Sequence, residues 1–302
     1  MTIDCRADFP LLARRDAPIY LDSAASSLKP RRVIDAVAHC LAEYPANVHR
    51  SGHRLGERAS SEVEATRLEV ARFINARPEE IIFTSGATES INLVVNSLIT
   101  SGDEEVALLG DGHNSSWLPV RERGRVFQSF NLEEDLRRKP SLLIVTACSN
   151  VTGTLVDVQS AVELAHHAGV PVLVDGAQSV PHMTTDVSDL GCDFLAFSGH
   201  KMLAPSGVGV LYCAPAWHER LVPLQHGGGT ISAFAGDDAV SRLSLPRGFE
   251  AGTPNVPGIV GLGEAIRYLR GIGMGRIAAH SIRLHAKLQA ALTMVSQVDP
   301  GG

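Results

Sequence analysis

The chain has 302 residues, 44% of them hydrophobic, enough for one large core and part of a second domain. A net charge of −6, a pI near 6.0 and the lack of any basic run exclude nucleic acid as the main partner. A charged N-terminus without an apolar run excludes a signal peptide and no stretch is long enough to span a bilayer, while five scattered cysteines give neither a disulfide framework nor a zinc motif, so the cytoplasm is the expected location.

Residues 19–22 read as a short strand, followed by the small-residue turn Ser23-Ala24-Ala25-Ser26-Ser27. Pro30 suits the first turn of a helix running to about Tyr44, with Val33, Val37 and Leu41 on one face. The polar loop of residues 47–53 carries His49, Arg50 and His53. No nearby acid or cysteine completes a metal site there, so it is expected to lie on the surface or line an active site. A second helix is expected over residues 57–75.

Residues 81–84 form a strand, and Ser85-Gly86-Ala87-Thr88-Glu89 turns it into a helix whose Ile91, Leu93, Val94 and Leu98 face inward. Such a glycine turn aims backbone N–H groups and a helix dipole at an anion. Ser85 and Glu89 also approach an ordinary capping box, and on this segment alone the two readings stand level. Further strands are expected at residues 106–109, 142–146, 172–175, 194–197 and 207–212, with a helix over residues 158–167 whose His166 and His167 point to different faces and meet solvent. Continuously apolar strands alternating with helices define an α/β domain with a mainly parallel sheet flanked by helices on both faces. Beyond Tyr212 come a glycine-rich loop (residues 225–230), a polar stretch without periodicity, the turn of residues 249–255, a helix over 259–269 and an amphipathic helix over 276–295.

In parallel α/β sheets ligands bind beyond the carboxyl ends of the strands. His113, Asn150, Asp175, Gln178 and Lys201 all fall at such ends. Alone, Asp175 and Lys201 would read as a helix cap and a solvated lysine. Together with the surrounding chain they meet the needs of pyridoxal 5'-phosphate. The lysine forms the Schiff base, and the acid keeps the pyridine nitrogen protonated so that the ring withdraws electrons. Ala87 N–H, Thr88, Ser198 and His200 are available to the phosphate. His113 suits stacking on the ring and proton relay, and Asn150 and Gln178 can donate to its phenolic oxygen.

Seven segments carry a family resemblance: YLDSAASSLKP from Tyr20, NVHRSGHRL from Asn47, FTSGATESINLV from Phe83, SNVTGT from Ser149, VDGAQSVPHM from Val174, CDFLAFSGHKMLAPSGVGVLY from Cys192 and FEAGTPNVPGIVGLGEAI from Phe249. They resemble the class V aminotransferase branch of fold-type I pyridoxal phosphate enzymes, and within it cysteine desulfurases and selenocysteine lyases. The resemblance implies the aspartate-aminotransferase-like fold. It makes Lys201 the cofactor-bonding lysine, Asp175 the pyridine partner, His113 the stacking residue, Asn150 and Gln178 the phenolic-oxygen contacts, and Thr88, Ser198 and His200 the phosphate ligands. Thr253 would reach the phosphate of the other subunit's cofactor, implying a homodimer with shared sites. It also implies an amino-acid substrate and a sulfur-acceptor protein as partners.

The domains expected are an N-terminal segment (1–18), a large cofactor-binding domain (19–270) and a helix (271–302) leading into a truncated small domain. In the family that small domain supplies an arginine for the substrate carboxylate and, in desulfurases, a nucleophilic loop cysteine. None of Cys5, Cys40, Cys148, Cys192 and Cys213 stands in the matching context, and Ser116 replaces the usual asparagine. The expected activity is C–S cleavage of L-cysteine to alanine plus persulfide or sulfide sulfur. The alternatives are another class V reaction (aminotransferase, epimerase or C–S lyase) needing no cysteine nucleophile, and a non-catalytic cofactor-binding or dimerisation partner.

Overall fold

A computed structural model describes residues 3–49, 52–235 and 239–295; Arg50 and Ser51 of the histidine loop lie outside it. Its central sheet contains β1 (Ile81–Thr84), β2 (Glu105–Leu109), β3 (Arg125–Gln128), β4 (Leu142–Thr146), β5 (Val172–Asp175), β6 (Phe194–Ser198) and β7 (Gly209–Cys213). The order across the sheet is β1-β7-β6-β5-β4-β2-β3. Strands β2 to β6 are parallel, while β7 lies antiparallel between β6 and β1. Because β7 alone is reversed, the carboxyl end of β1 opens on the same side as those of β4, β5 and β6.

The sheet is covered on both faces, as its continuously apolar strands require. Every residue of β4, β5 and β6 is buried. Alternate side chains feed two cores: Ile81, Val145, Val174 and Phe197 pack with α1 (Arg31–Glu43), α2 (Arg54–Ile74), α6 (Val158–His167) and α8 (Val256–Ile272). Ile82, Ile144, Leu173 and Ala196 pack on the other face with α3 (Ala87–Leu98) and Val120 of α4 (Asn114–Arg121). Among the described residues no helix is long and apolar enough to cross a membrane.

Several expectations change. Residues 19–22 form no strand; Ile19 and Leu21 are each 90% exposed, and among the described residues no strand pairs with this segment. Helix α1 buries Val33 as expected and half-buries Val37, but it turns Cys40 rather than Leu41 inward, and Leu41 is mostly exposed. The polar stretch after the glycine loop contains a hairpin of β8 (Ile231–Ala235) and β9 (Ala239–Arg242). Strand β3, half-buried at the sheet edge, had no apolar run to announce it. His166 is not simply solvated: its Nε2 meets Asp193 Oδ2 at 2.9 Å. The last described helix, α9 (Met274–Thr293), has no buried residue.

Candidate active site

Strand β5 ends on Asp175, paired in register with Thr146 and Ala196 of its neighbours, so the ladders on both sides fix the acid's backbone. The carboxylate is 6% exposed. Its Oδ1 accepts from the Ala177 N–H at 3.1 Å and its Oδ2 from the Ser116 hydroxyl at 3.3 Å. Strand β6 delivers Ser198, and the 3-10 turn Gly199–Lys201 follows at once. Burial lowers the proton affinity of the Lys201 amine, and the charge of Asp175 partly opposes that shift. His200 is likewise pushed down, by burial first and then by the positive charges of Lys201 and Lys29.

The Gly86 turn sits against the start of β7, where a β-carbon on Gly209 would come 2.7 Å from the Gly86 nitrogen. A glycine at 209 permits that approach, which places the N-terminus of α3 beside Ser198. The Ala87 N–H, expected to face an anion, instead donates to Ser198 Oγ at 2.8 Å, leaving the Ser198 hydroxyl hydrogen free to be donated onward. The Glu89 carboxylate accepts from the Ser85 N–H at 2.7 Å, half of the capping box considered above. Thr88 Oγ1 and Ser115 Oγ lie 2.7 Å apart, and Ser115 Oγ is 3.0 Å from His113 Nδ1. His113 caps α4 by accepting the Ser115 N–H on Nδ1 at 3.1 Å, so a neutral ring carries its hydrogen on Nε2.

These side chains line one cavity of about 350 Å³: Ala87, Thr88, His113, Asn150, Asp175, Gln178, Ser198, His200 and Lys201 all face it. The remaining predicted residue, Thr253, lies elsewhere. It is exposed in a second hollow of about 430 Å³ with Asn47, His49, Arg247 and Glu250. Gln178 has already used one amide hydrogen, donating to the Ala24 carbonyl at 2.7 Å. Sequence reading did not assign Ala24, Ala25, Thr146 or Ser115 to the site, nor the bond from Ser116 to Asp175. The small-residue turn of residues 23–27 and the paired serines after His113 were the available signals.

All five cysteines are unpaired. Burial raises the thiols of Cys40, Cys192 and Cys213, with Cys192 pushed up to about 12. Cys148 lines the cavity but burial raises it too, so the thiolate that a nucleophile requires is disfavoured.

A sheet of this order, with an acid and a lysine at neighbouring strand ends, agrees with what the chain is similar to. Residues 19–300 match the aminotransferase class-V family, and the chain belongs to it. A probable cysteine desulfurase of Halalkalibacterium halodurans is 40% identical over 301 residues, covering 93% of this chain and 73% of that protein. The apo structure of a cysteine desulfurase from Thermococcus onnurineus superposes with a TM-score of 0.87 at 35% identity, over 95% of this chain and 74% of that one. An Escherichia coli cysteine desulfurase gives a TM-score of 0.82 at 34% identity, over 95% and 76% of the two chains.

Proposed function

We propose that this chain is a pyridoxal phosphate enzyme that cleaves the C–S bond of L-cysteine, leaving alanine and passing the sulfur to a thiol acceptor. The observation that carries the reading is the union of Asp175 and Lys201 with seven other expected residues on one cavity. The donor set fits the cofactor. Asp175 is a buried carboxylate with two neutral donors, which leaves it able to accept a further hydrogen bond from a protonated ring nitrogen. Ser198, Thr88 and His200 gather where a phosphate needs donors, beside the N-terminus of α3.

When bound, the cofactor supplies an electron sink for the bond broken at the substrate's α-carbon. Lys201 would anchor it through Nζ and, as a free amine, would take the substrate's α-proton there; its lowered proton affinity keeps more of the amine unprotonated than an unburied lysine would have. His113, with hydrogen on Nε2, stacks and relays a proton near the sulfur. Gln178 and Asn150 orient the ring through its phenolic oxygen. Sulfur leaves by forming a bond to an acceptor thiol, R–SH plus cysteine giving R–S–SH plus alanine, so no outside oxidant is needed. A protein thiol or a small thiol can serve.

Residues 19–270 form the cofactor domain in this reading. The exposed Thr253 reaches the cofactor of a second copy, making the enzyme a homodimer, and the unpaired cysteines suit the cytoplasm. A second reading, a class V reaction without a protein nucleophile, is favoured by one observation: no cavity-lining thiol is activated among the described residues.

The test supplies pyridoxal phosphate, cysteine and a reducing thiol, then measures sulfide and alanine together. Equal amounts of both support desulfuration. Turnover of another amino acid with none of cysteine selects the second reading. Wild type that stays colourless with cofactor, or Lys201→Ala with an unchanged visible band, ends the cofactor assignment; coloured protein inert toward all amino acids points to a non-catalytic partner.

A further inference from the structure

The carbonyl of His200, one residue before Lys201, is a convergence point. It accepts from the Ser27 N–H at 2.9 Å, the Ser27 hydroxyl at 2.9 Å and the Lys29 ammonium at 3.1 Å. Ser26 Oγ adds a longer contact at 3.4 Å. On the far side of Lys201, the Leu203 N–H donates to Ser27 Oγ at 2.8 Å. Leu203 has φ of 70°, a left-handed conformation that costs a branched residue energy and persists only where neighbours impose it. Lys201 is therefore bracketed on both sides by one short segment 174 residues away in sequence.

Lys29 is half-buried, and its hydrogen-bond partners among the described residues are neutral oxygens: Ser26 Oγ at 3.4 Å and the carbonyls of Ser27 and His200. A cation in that setting loses hydration and gains no carboxylate, so burial lowers its proton affinity. A neutral residue would close the same turn without that cost. The other end of the segment is tied as well, by Gln178 to the Ala24 carbonyl at 2.7 Å, and Ala24 and Ala25 line the cavity.

We propose that Lys29, acting with Ser27, is a positioning residue for Lys201: it fastens the strap of residues 24–29 to the turn Gly199–Lys201 and sets the direction from which the Lys201 amine enters the cavity. The inference rests on the function proposed above. A charge-assisted bond to a carbonyl is about twice as strong as a neutral one, and it holds the turn before any ligand arrives. The geometry of a reacting group is worth large factors in rate, which is what such a brace protects.

The experiment compares wild type, Lys29→Met and Lys29→Arg. Amide hydrogen exchange in protein without cofactor is the first measurement. Protection at Ser27 and Leu203 is expected to fall at least about tenfold in Lys29→Met and to return in Lys29→Arg. The second is visible circular dichroism of cofactor-loaded protein, which reports ring orientation; its amplitude is expected to drop in Lys29→Met and recover in Lys29→Arg. Unchanged exchange overturns the brace. Faster exchange with an unaltered visible spectrum reduces Lys29 to a structural role and overturns the positioning claim. Should Lys29→Met not fold, Ser27→Ala takes its place with the same two measurements and the same outcomes. A colourless wild type ends the cofactor reading and, with it, the positioning of Lys201, while the exchange arm still decides whether the brace exists.

Discussion

The Lys201 cavity and the Thr253 hollow are similar in size, about 350 and 430 Å³, but are built by different means. The first is walled by the ends of buried strands, and its acid stands in a ladder with both neighbours. The second is walled by the loop before α2, the glycine-rich loop and the turn of residues 250–254. A buried ion pair moors the start of that turn. Arg67, 1% exposed, grips Glu250 with two bonds of 2.8 and 2.9 Å, and the Glu250 carboxylate also accepts the Phe83 N–H at 2.7 Å. Arg67 in turn donates to the Ile81 carbonyl at 2.8 Å. A hydrogen-bonded sheet places the first set of side chains; a paired charge moors the second to strand β1. Buried pairs of this kind add little net stability for their desolvation cost, so position is what this one supplies.

Loss of the acid tests the sheet-built cavity hardest. Asp175→Asn keeps shape and the Ala177 contact but removes the charge that a protonated ring nitrogen needs. Turnover of cysteine is expected to fall about 10²–10³-fold with little change in thermal midpoint. Ser116→Ala, which deletes only the bond to Oδ2, is expected to cost about tenfold or less. Steady-state assays of both loaded proteins check the order; a larger loss for Ser116→Ala than for Asp175→Asn would show that Asp175 is not the ring partner.

The hollow of Thr253 makes a different prediction. Thr253→Ala is expected to weaken cofactor binding about tenfold, the worth of one hydrogen bond to a charged group. If the residue serves the partner's site, each mixed dimer of Thr253→Ala with Lys201→Ala contains one fully equipped site, and because random pairing makes about half of the dimers mixed, about a quarter of the wild-type tight sites returns. Were Thr253 to serve its own chain, mixing would restore nothing. Cofactor titration of the mixed sample separates the two.

The same contrast explains what the sequence made legible. Strands β4, β5 and β6 are buried on both faces, so composition alone marks them, and the residues at their ends follow by counting. Asp175, Lys201 and Ser198 were visible for that reason. Ser116 was noticed as a departure from the family, yet its bond to Asp175 joins residues 59 apart and belongs to packing, not to pattern. The strap of residues 24–29 failed differently. The exposed Ile19 and Leu21 just before it imitate a strand, while the strap's own role lies in hydrogen bonds from serines and a lysine that no periodicity encodes. The Arg67–Glu250 pair was equally silent, since 183 residues separate its members. Long-range polar contacts were the illegible part.

The smallest expected effect concerns the Lys201 amine itself. Its proton affinity lies below the ordinary value of 10.5, mainly through burial, and Asp175 opposes the shift. The sign follows directly. The unfolded chain holds this proton at pH values where the folded chain has released it, so the stability cost is complete below the folded pKa and fades as pH rises towards 10.5. In protein without cofactor, an amine-directed reagent should therefore modify Lys201 at lower pH than it modifies an exposed lysine such as Lys139. Asp175→Asn removes the opposing attraction, and the labelling profile is expected to move to still lower pH. A profile that stays where it is in Asp175→Asn would mean that the two side chains do not share a field, and that the strand ends which bring them together leave their charges independent.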